Sequence, residues 1–320
     1  MHDGKEKATA RFCVPLFYGK RRLRNGQPGR YARPGTCSGH GKNGSRKKRE
    51  REKDMITSLS NSRVKNVTAL NRKAKERRSQ GKYVVEGIKM FLEAPETEIG
   101  EVYVSESFYG KMQENPAESA CTEKLAGLSY ETVSDEVFSK MSDTEAPQGI
   151  LCVMRRKDYS EQDILSGTAP LIMVLEDIQD PGNLGTILRT GEGAGVRGIL
   201  LSGGCADIYN PKTIRSTMGS VYRVPFAYVP SIPETAASLK AAGIRIYAAH
   251  LQGSVNYTEP DYTKGTAFFI GNEGNGLRPE TAALADRYIR IPMAGRVESL
   301  NAAMAAGILM YEAARQRYGG

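Results

Sequence analysis

Three short stretches in the second half of the sequence combine glycines with polar side chains that could bind a ligand. They are residues 180–190 with Asn183 and Arg189, residues 270–274 with Glu273, and residues 291–301 with Ser299 and Asn301. In the third stretch, Ser299 stands where a helix N-cap is expected, before apolar residues at helical spacing from Leu300 to Tyr311. A helix start has free backbone N–H groups, so a hydroxyl and an amide placed there could cradle a polar ligand. A capped C-terminal helix without any ligand has the same pattern.

Apolar strands and helices alternate from residue 171 to the end of the chain. The predicted strands are Leu171–Leu175, Gly198–Leu201, Arg223–Phe226, Arg245–Ala248, Ala267–Ile270 and Tyr288–Ile291. The predicted helices are Leu184–Ala194, Pro211–Met218, Pro233–Ala242, Pro279–Ala285 and Leu300–Arg317. This alternation favours an α/β fold with a mostly parallel sheet and helices on both faces. Ligand sites gather at the carboxyl ends of such strands, and all three polar stretches follow predicted strands. We therefore expect them to form one site.

Residues 55–155 are predicted to form a smaller α/β domain in front of this sheet. Its expected strands are Tyr83–Glu86, Val102–Val104 and Gln148–Val153, and its expected helices are Ile88–Glu93, Val137–Met141 and a segment with Val64, Val67 and Leu70 at helical spacing. Residues 156–170 are polar and are predicted to be a linker before the domain of residues 171–320. Residues 1–54 show no helix or strand period, which predicts a disordered basic leader.

Positive charge is concentrated at the front of the chain, whose net charge is +9. Residues 1–54 hold 16 Lys and Arg against 5 Asp and Glu, and residues 55–82 hold 8 against 1. This distribution favours contact with phosphate groups, although a basic tail can also be a solvated segment without a partner. The predicted contact residues behind the leader are Arg63, Arg72, Lys73, Arg77 and Arg78.

The spacing of apolar residues, cysteines and glycines excludes several other classes of protein and site. No apolar run approaches the roughly 18 residues that a membrane helix needs, and no signal peptide opens the chain. Five cysteines without a pattern fit a reducing cytoplasm better than a disulfide framework. Cys37 and His40 are too few ligands for a zinc site, so no metal is expected. Gly191–Gly195 precedes a strand, which is the reverse of the order in a dinucleotide-binding fingerprint.

Together the three polar stretches resemble motifs one, two and three of the SpoU (TrmH-like) RNA 2′-O-methyltransferases of the SPOUT superfamily. The resemblance covers residues 171–317 and includes the fixed order and spacing of the motifs. Residues 55–155 resemble the L30e-like substrate-binding domain of many of these enzymes, through Asn61–Lys65, Val85–Gly87 and Pro147–Gly149. The family resemblance implies an S-adenosylmethionine (AdoMet) site within a deep trefoil knot, and a homodimer.

The resemblance also implies roles for single residues. The family's catalytic positions correspond to Asn183, Arg189, Glu273, Ser299 and Asn301, and its cofactor positions correspond to Gly271, Ile291 and Leu300. The family places Arg189 beside the ribose 2′-hydroxyl, where it is often described as a base. A guanidinium resists deprotonation, so Arg189 could instead hold a phosphate and stabilise negative charge on the 2′-oxygen. Glu273 is then expected to orient Arg189 or to relay the proton.

The expected activity is AdoMet-dependent methylation of a ribose 2′-hydroxyl in structured RNA, with 23S rRNA as the first expectation and tRNA as the alternative. Two other classes are a non-catalytic RNA-binding relative and an AdoMet enzyme that modifies a base. A pure binder has no need for Asn183, Arg189, Glu273 and Asn301 together, and base-modifying relatives have a different third motif. The residues before Met55 are either a translated leader sequence or a basic arm that binds rRNA.

Overall fold

The computed structural model describes residues 55–114, 119–250, 255–297 and 299–319, so the predicted leader at 1–54 lies outside the described residues. The helices are α1 Ser62–Arg72, α2 Ala74–Gln80, α3 Ile88–Glu93, α4 Glu106–Glu114, α5 Ser119–Ala126, α6 Asp135–Met141, α7 Glu161–Leu165, α8 Pro181–Gly193, α9 Pro211–Thr217, α10 Ile232–Ala241, α11 Pro279–Ala282 and α12 Ala302–Tyr318. The strands are β1 Lys82–Glu86, β2 Ile99–Ser105, β3 Glu131–Val133, β4 Ile150–Arg155, β5 Leu171–Leu175, β6 Gly198–Leu201, β7 Phe226–Tyr228, β8 Arg245–Ala249, β9 Val255–Asn256, β10 Thr266–Ile270 and β11 Arg287–Arg290. The described residues all belong to one compact unit.

The first sheet contains four strands in the order β1-β4-β2-β3. β4 pairs antiparallel with β1 and β2, whereas β2 pairs parallel with β3. The three strands predicted in this region are present, and α1 buries Val64, Val67 and Leu70 as its helical spacing predicts. The sequence analysis missed β3, because a strand of three residues is too short to show a period.

The second sheet contains seven strands in the order β7-β6-β5-β10-β8-β11-β9, and all of its pairings are parallel. Alternate residues of β5 enter two different apolar clusters, Leu171 and Met173 on one face and Ile172 and Val174 on the other. The first cluster includes residues of α8 and α12, and the second includes residues of α10. The predicted parallel sheet with helices on both faces is confirmed.

The strand predicted at Arg223–Phe226 is wrong. Ser220–Tyr222 forms a 3₁₀ helix, and β7 begins only at Phe226. Pro225 precedes β7 and cannot donate a hydrogen bond to a sheet, although its carbonyl accepts one from the Ile199 N–H at 3.0 Å. The strand therefore starts behind the proline.

The two sheets share packed side chains. The ring of Tyr83 in β1 lies 4.4 Å from that of Tyr209, and the Tyr222 hydroxyl donates to the Met90 carbonyl at 3.0 Å. The segment predicted as a linker at 156–170 contains α7, whose Ile164 is fully buried. This segment is therefore part of the core. None of the described helices is long and apolar enough to cross a membrane.

Candidate active site

The three polar stretches meet at the carboxyl edge of the parallel sheet. β5 and β10 are neighbours, and only β8 separates β10 from β11. The first stretch follows β5 and leads into α8, the second follows β10, and the third follows β11 and leads into α12. Parallel strands end at a common edge, so three segments that are distant in sequence contact one another there.

A chain of hydrogen bonds links one residue from each stretch. The Asn301 amide Nδ2 donates to Asn183 Oδ1 at 2.9 Å, and Asn183 Nδ2 donates to Glu273 Oε1 at 3.0 Å. Each asparagine therefore has its amide orientation fixed by a neighbour from a different stretch. The predicted meeting of Asn183, Glu273 and Asn301 is present in the structure.

Asn301, rather than Ser299, caps the last helix. Its Oδ1 accepts hydrogen bonds from the backbone N–H groups of Ala303 and Met304, at 2.9 and 3.3 Å. The helix accordingly starts at Ala302 and not at Leu300. Both Ser and Asn are good N-caps, so sequence preference does not choose between them. Ser299 is left exposed on the wall of a cavity.

The Glu273 carboxylate lies at the start of α8. Its oxygens accept from the backbone N–H groups of Asp180 and Gln179, at 3.3 and 3.4 Å, as well as from Asn183. Burial by itself would raise the pKa of Glu273, but these hydrogen bonds outweigh it and lower that pKa below the ordinary value. The positive end of the helix dipole favours the same ionised form. Glu273 is thus a carboxylate at neutral pH and a weak base.

Arg189 is not part of this hydrogen-bonded chain. It lies on α8, six residues beyond Asn183, and its side chain is exposed. Within the described part of the chain it has neither a hydrogen bond nor an ion pair, so the expected contact with Glu273 is not formed. The structure leaves this guanidinium available to a ligand.

Two carboxylates that the sequence analysis did not select hold the loop after β10 in place. The buried Glu176 accepts from the Arg278 backbone N–H at 2.8 Å and from the Thr281 hydroxyl at 2.5 Å. Asp177 accepts from Arg278 Nη2 at 2.6 Å, while its carbonyl accepts from Asn272 Nδ2 at 2.8 Å. Their signal in the sequence is a pair of acids directly behind a fully apolar strand.

A cavity of about 340 Å³ opens beside the hydrogen-bonded chain. Gly271, Ile291 and Leu300, the three predicted cofactor residues, all line it, together with Ser299 and Glu273. His250 and Leu309 also line it, and sequence reasoning did not find them. The lining combines aliphatic side chains with amide, hydroxyl and backbone groups, a mixture typical of small-molecule sites.

Gly271 is required by the turn that forms one wall of this cavity. Backbone hydrogen bonds between Asn272 and Gly276, at 3.0 and 2.9 Å, close the turn. A Cβ at position 271 would lie 2.1 Å from the backbone of Gly276 and Leu277. The protein's own turn is therefore the nearest obstacle to a side chain at position 271.

The residues predicted to contact phosphates differ in their exposure and ion pairing. Arg72, Lys73 and Arg78 are exposed. Arg63 is half-exposed and forms an ion pair with Glu131, so its charge is partly balanced.

Arg77 must be removed from the predicted phosphate contacts. Its side chain is 3% exposed and donates to Asp207 Oδ2 from Nη2 at 2.6 Å and from Nε at 2.9 Å. Its Nη1 donates to the carbonyls of Leu70 and Asn71, at 2.7 and 3.0 Å. Through these bonds the guanidinium of Arg77 joins α2 to the region of the second sheet. Because it is buried, it is not available to an RNA phosphate.

No group of three or more His, Cys, Asp and Glu side chains that could hold a metal ion occurs among the residues the structure describes. The polar groups of the candidate site are instead amides, a carboxylate and a guanidinium. Such groups can orient a hydroxyl and stabilise negative charge without a metal.

Comparison with known proteins gives the same two regions. A family model of the SpoU rRNA methylase family matches residues 170–311, and a model of the MRM3-like substrate binding domain matches residues 61–152. The 23S rRNA (guanosine(2553)-2′-O)-methyltransferase RlmP of Bacillus subtilis is 32% identical over 260 residues, which cover 80% of this chain and 98% of the relative. The chain belongs to the SpoU rRNA methylase family.

Other members of the family show similar sequence and structure. RlmB of Bordetella pertussis, a 23S rRNA (guanosine-2′-O-)-methyltransferase, is 31% identical and covers 71% of this chain and 92% of its own. The AdoMet-bound rRNA methyltransferase of Sinorhizobium meliloti aligns with a TM-score of 0.71 at 32% identity, covering 82% of this chain and 97% of its own. The SpoU methyltransferase AviRb of Streptomyces viridochromogenes, in complex with AdoMet, also gives 0.71, at 28% identity, with 81% and 99% covered.

Proposed function

We propose that this protein transfers a methyl group from AdoMet to a ribose 2′-hydroxyl of ribosomal RNA. The observation that carries the proposal is the hydrogen-bonded chain Glu273–Asn183–Asn301, which joins all three polar stretches beside a cavity of about 340 Å³. An RNA-binding protein without catalysis gains nothing from this arrangement on the helix that also carries the exposed Arg189, which has no ion pair among the described residues. The relatives RlmP and RlmB are named as 23S rRNA 2′-O-methyltransferases, which supports rRNA over tRNA.

S-adenosylmethionine is the cofactor, and the cavity fits it. Ile291 and Leu300 offer aliphatic surface for an adenine ring, and the backbone around Gly271 together with Ser299 offers hydrogen bonds for polar groups. When bound, AdoMet supplies an electrophilic methyl group on a positively charged sulfur. No metal is needed for such a transfer, but an aligned nucleophile is.

The protein's own side chains then have distinct tasks. Asn183 and Asn301 hold fixed amide orientations and position the ribose. Glu273 remains ionised and anchors Asn183, because its lowered pKa makes it a poor proton acceptor. Arg189 donates hydrogen bonds to the neighbouring phosphate and stabilises negative charge as it develops on the 2′-oxygen. A guanidinium performs this task while it keeps its proton, and the 2′-hydroxyl proton would pass to solvent water, which reaches the exposed Arg189 and Glu273.

RNA is proposed to approach across the first sheet. Arg72, Lys73 and Arg78 are exposed on α1, α2 and the residue between them, and can contact phosphates. We also propose that residues 55–155 form an L30e-like domain. The match of residues 61–152 to a substrate-binding domain supports this assignment.

The proposal includes a homodimer and a trefoil knot in residues 171–320. Met304, Tyr311 and Tyr318 recur every seven residues on α12 and are 60%, 55% and 69% exposed, which gives one apolar face suited to a second copy. The knot is proposed from the family to which the chain belongs, and the end of α12 is held against an earlier segment. Arg317 donates to the carbonyls of Tyr262 and Lys264 at 2.8 and 2.7 Å. The buried free thiols Cys121, Cys152 and Cys205 support a reducing, cytoplasmic compartment.

The decisive experiment supplies purified protein with methyl-labelled AdoMet and either unmodified rRNA or unmodified tRNA, and maps 2′-O-methyl groups at nucleotide resolution. We expect label on one ribose of rRNA. Label on tRNA alone, or on a base, contradicts the proposed substrate or reaction. Bound AdoMet and bound rRNA without any transfer would identify a non-catalytic relative.

A further inference from the structure

A second cavity, of about 500 Å³, lies in the first sheet and shares no lining residue with the AdoMet cavity. Its wall includes the start of α1, the first half of β2 and the beginning of β3, with Arg63, Asn66, Glu101, Tyr130 and Glu131. β3 is the edge strand opposite β1, and it is β1 whose Tyr83 packs against the region of the second sheet. The cavity therefore lies on the side of the first sheet away from β1, the strand that packs against the region of the second sheet.

The charges around this cavity are balanced. Arg63 pairs with Glu131, and Lys82 pairs with Glu101 at 3.2 Å. Glu101 also accepts from the Tyr103 hydroxyl at 2.6 Å. Two carboxylates match two cations, so the cavity does not offer the excess positive charge that a phosphate requires. It offers hydrogen-bond donors and acceptors side by side.

A β-bulge in β2 determines which residues of this strand share a face. β2 carries a register shift between Ile99 and Glu101 against β4, a β-bulge with Gly100 as its extra residue. A Cβ on Gly100 would lie 3.1 Å from the Val153 carbonyl oxygen, which favours glycine there. Past the bulge, ordinary strand alternation puts Glu101 and Tyr103 on one face, while Ile99 joins Val102 in the apolar cluster on the other.

One wall of the cavity is aromatic. The ring of Tyr130, which is partly exposed, lies with its centroid 6.3 Å from that of Tyr109. The two ring planes are tilted by 38° to each other, and the ring of Tyr130 lines the cavity, where a base can stack on it. An aromatic ring beside a carboxylate and a guanidinium matches a nucleobase better than a sugar or a phosphate.

We propose that this cavity binds one unpaired guanine of the RNA, at a distance from the methylated ribose. Guanine donates from N1–H and the exocyclic amine on one edge, which suits the Glu131 carboxylate, and accepts at O6 and N7, which suits Arg63. Both side chains are accessible, at 52% for Arg63 and 37% for Glu131. The inference rests on the proposed function, because it assigns a second contact to the same RNA.

Removal of one negative charge, at Glu131, tests this proposal by its effect on RNA binding. Full-length protein is titrated with fluorescent oligouridine strands that carry a single central guanine, adenine or inosine, the last lacking the exocyclic amine. We expect guanine to bind about tenfold tighter than adenine, with inosine between them. Glu131→Gln should weaken guanine binding and remove this preference. If the cavity held a phosphate instead, removal of a negative charge would strengthen the binding of every strand equally.

A matched variant and two further measurements complete the test. Glu136→Gln removes one exposed carboxylate from α6, outside the cavity, and should keep the guanine preference. Arg63→Ala should lose the preference as well, and the melting temperature of each variant shows that it is folded. No base preference in the unmodified protein, or tighter binding by Glu131→Gln, overturns the proposal. AdoMet affinity and methyl transfer are measured separately, so failure of the guanine site and failure of the proposed function are distinguishable.

Discussion

The two cavities described above differ in the side chains that line them. The one in the first sheet is lined by charged side chains, the ion pair of Arg63 with Glu131 and the carboxylate of Glu101. The one in the second sheet is lined by aliphatic side chains, glycines and neutral polar groups, with Glu273 as the carboxylate of its hydrogen-bonded chain. Charged pairs distinguish the edges of a base, whereas a rigid, mostly neutral wall holds a cofactor and leaves electrostatic stabilisation to a few fixed groups.

The difference has a kinetic consequence. Substitutions around the first cavity should change RNA affinity, and hence KM for RNA, while kcat at saturating RNA is kept. Substitutions around the second should lower kcat or AdoMet affinity while RNA binding is kept.

Arg189→Ala should lower kcat for methyl transfer by about a thousandfold, roughly 4 kcal/mol in the barrier, since it removes the exposed guanidinium proposed to stabilise the 2′-oxygen. AdoMet affinity, measured by calorimetry, should change by less than about tenfold, because Arg189 does not line the cavity. Arg245→Ala is a matched control, since Arg245 is exposed at the amino end of β8, on the opposite edge of the sheet. Lost AdoMet binding in a folded Arg189→Ala variant would place Arg189 in the cofactor site instead.

Arg77→Ala should destabilise the protein by about 3 kcal/mol, because it leaves Asp207 and two backbone carbonyls without their partner. Arg78→Ala, one residue further on, removes an exposed charge and should change the free energy of unfolding by less than about 0.5 kcal/mol. Denaturant unfolding measures both. Equal stability of the two variants would show that the ion pair does not hold the two sheets together.

Gly271→Ala should weaken AdoMet binding by about tenfold, or roughly 1.4 kcal/mol, because its Cβ forces the turn at Gly276 to move. Gly274→Ala is the control in the same loop, since the nearest atom to its Cβ is 3.5 Å away. Calorimetric titration of AdoMet compares the two. RNA affinity should be unchanged in both, which distinguishes the cavity wall from the RNA-binding surface.

The sequence predicted much of the second sheet and little of the side-chain pairing. β5 was predicted with its observed bounds, because a continuous apolar run between turn residues is characteristic of a buried parallel strand. The predicted strands place residues 183, 273 and 301 at one edge of the sheet, but they do not predict which of these side chains pair. Their hydrogen bonds span 90 and 118 positions, which no local period encodes.

Arg77 shows why the rest could not be predicted. It stands in a run of basic residues and looks like its neighbour Arg78, but an acid 130 positions away decides that it is buried. The cap of α12 is a similar case. Ser299 and Asn301 are both suitable caps, and the hydrogen bond from Asn301 to Asn183, formed only in the fold, accompanies the choice of Asn301.

The smallest expected effect is a pH dependence of stability that belongs to Glu273. Hydrogen bonds from Asn183 and the start of α8 lower its pKa in the folded protein against the opposing effect of burial. Its stabilisation is therefore complete above the unfolded pKa of about 4.3 and is lost as the pH falls through the folded pKa. Glu273→Gln should lower the melting temperature slightly at pH 7 and make its decline on acidification shallower. Glu280→Gln, an exposed acid on α11, should keep the steeper decline of the unmodified protein. If the melting temperatures of all three proteins fall equally on acidification, the Glu273 charge does not contribute to stability.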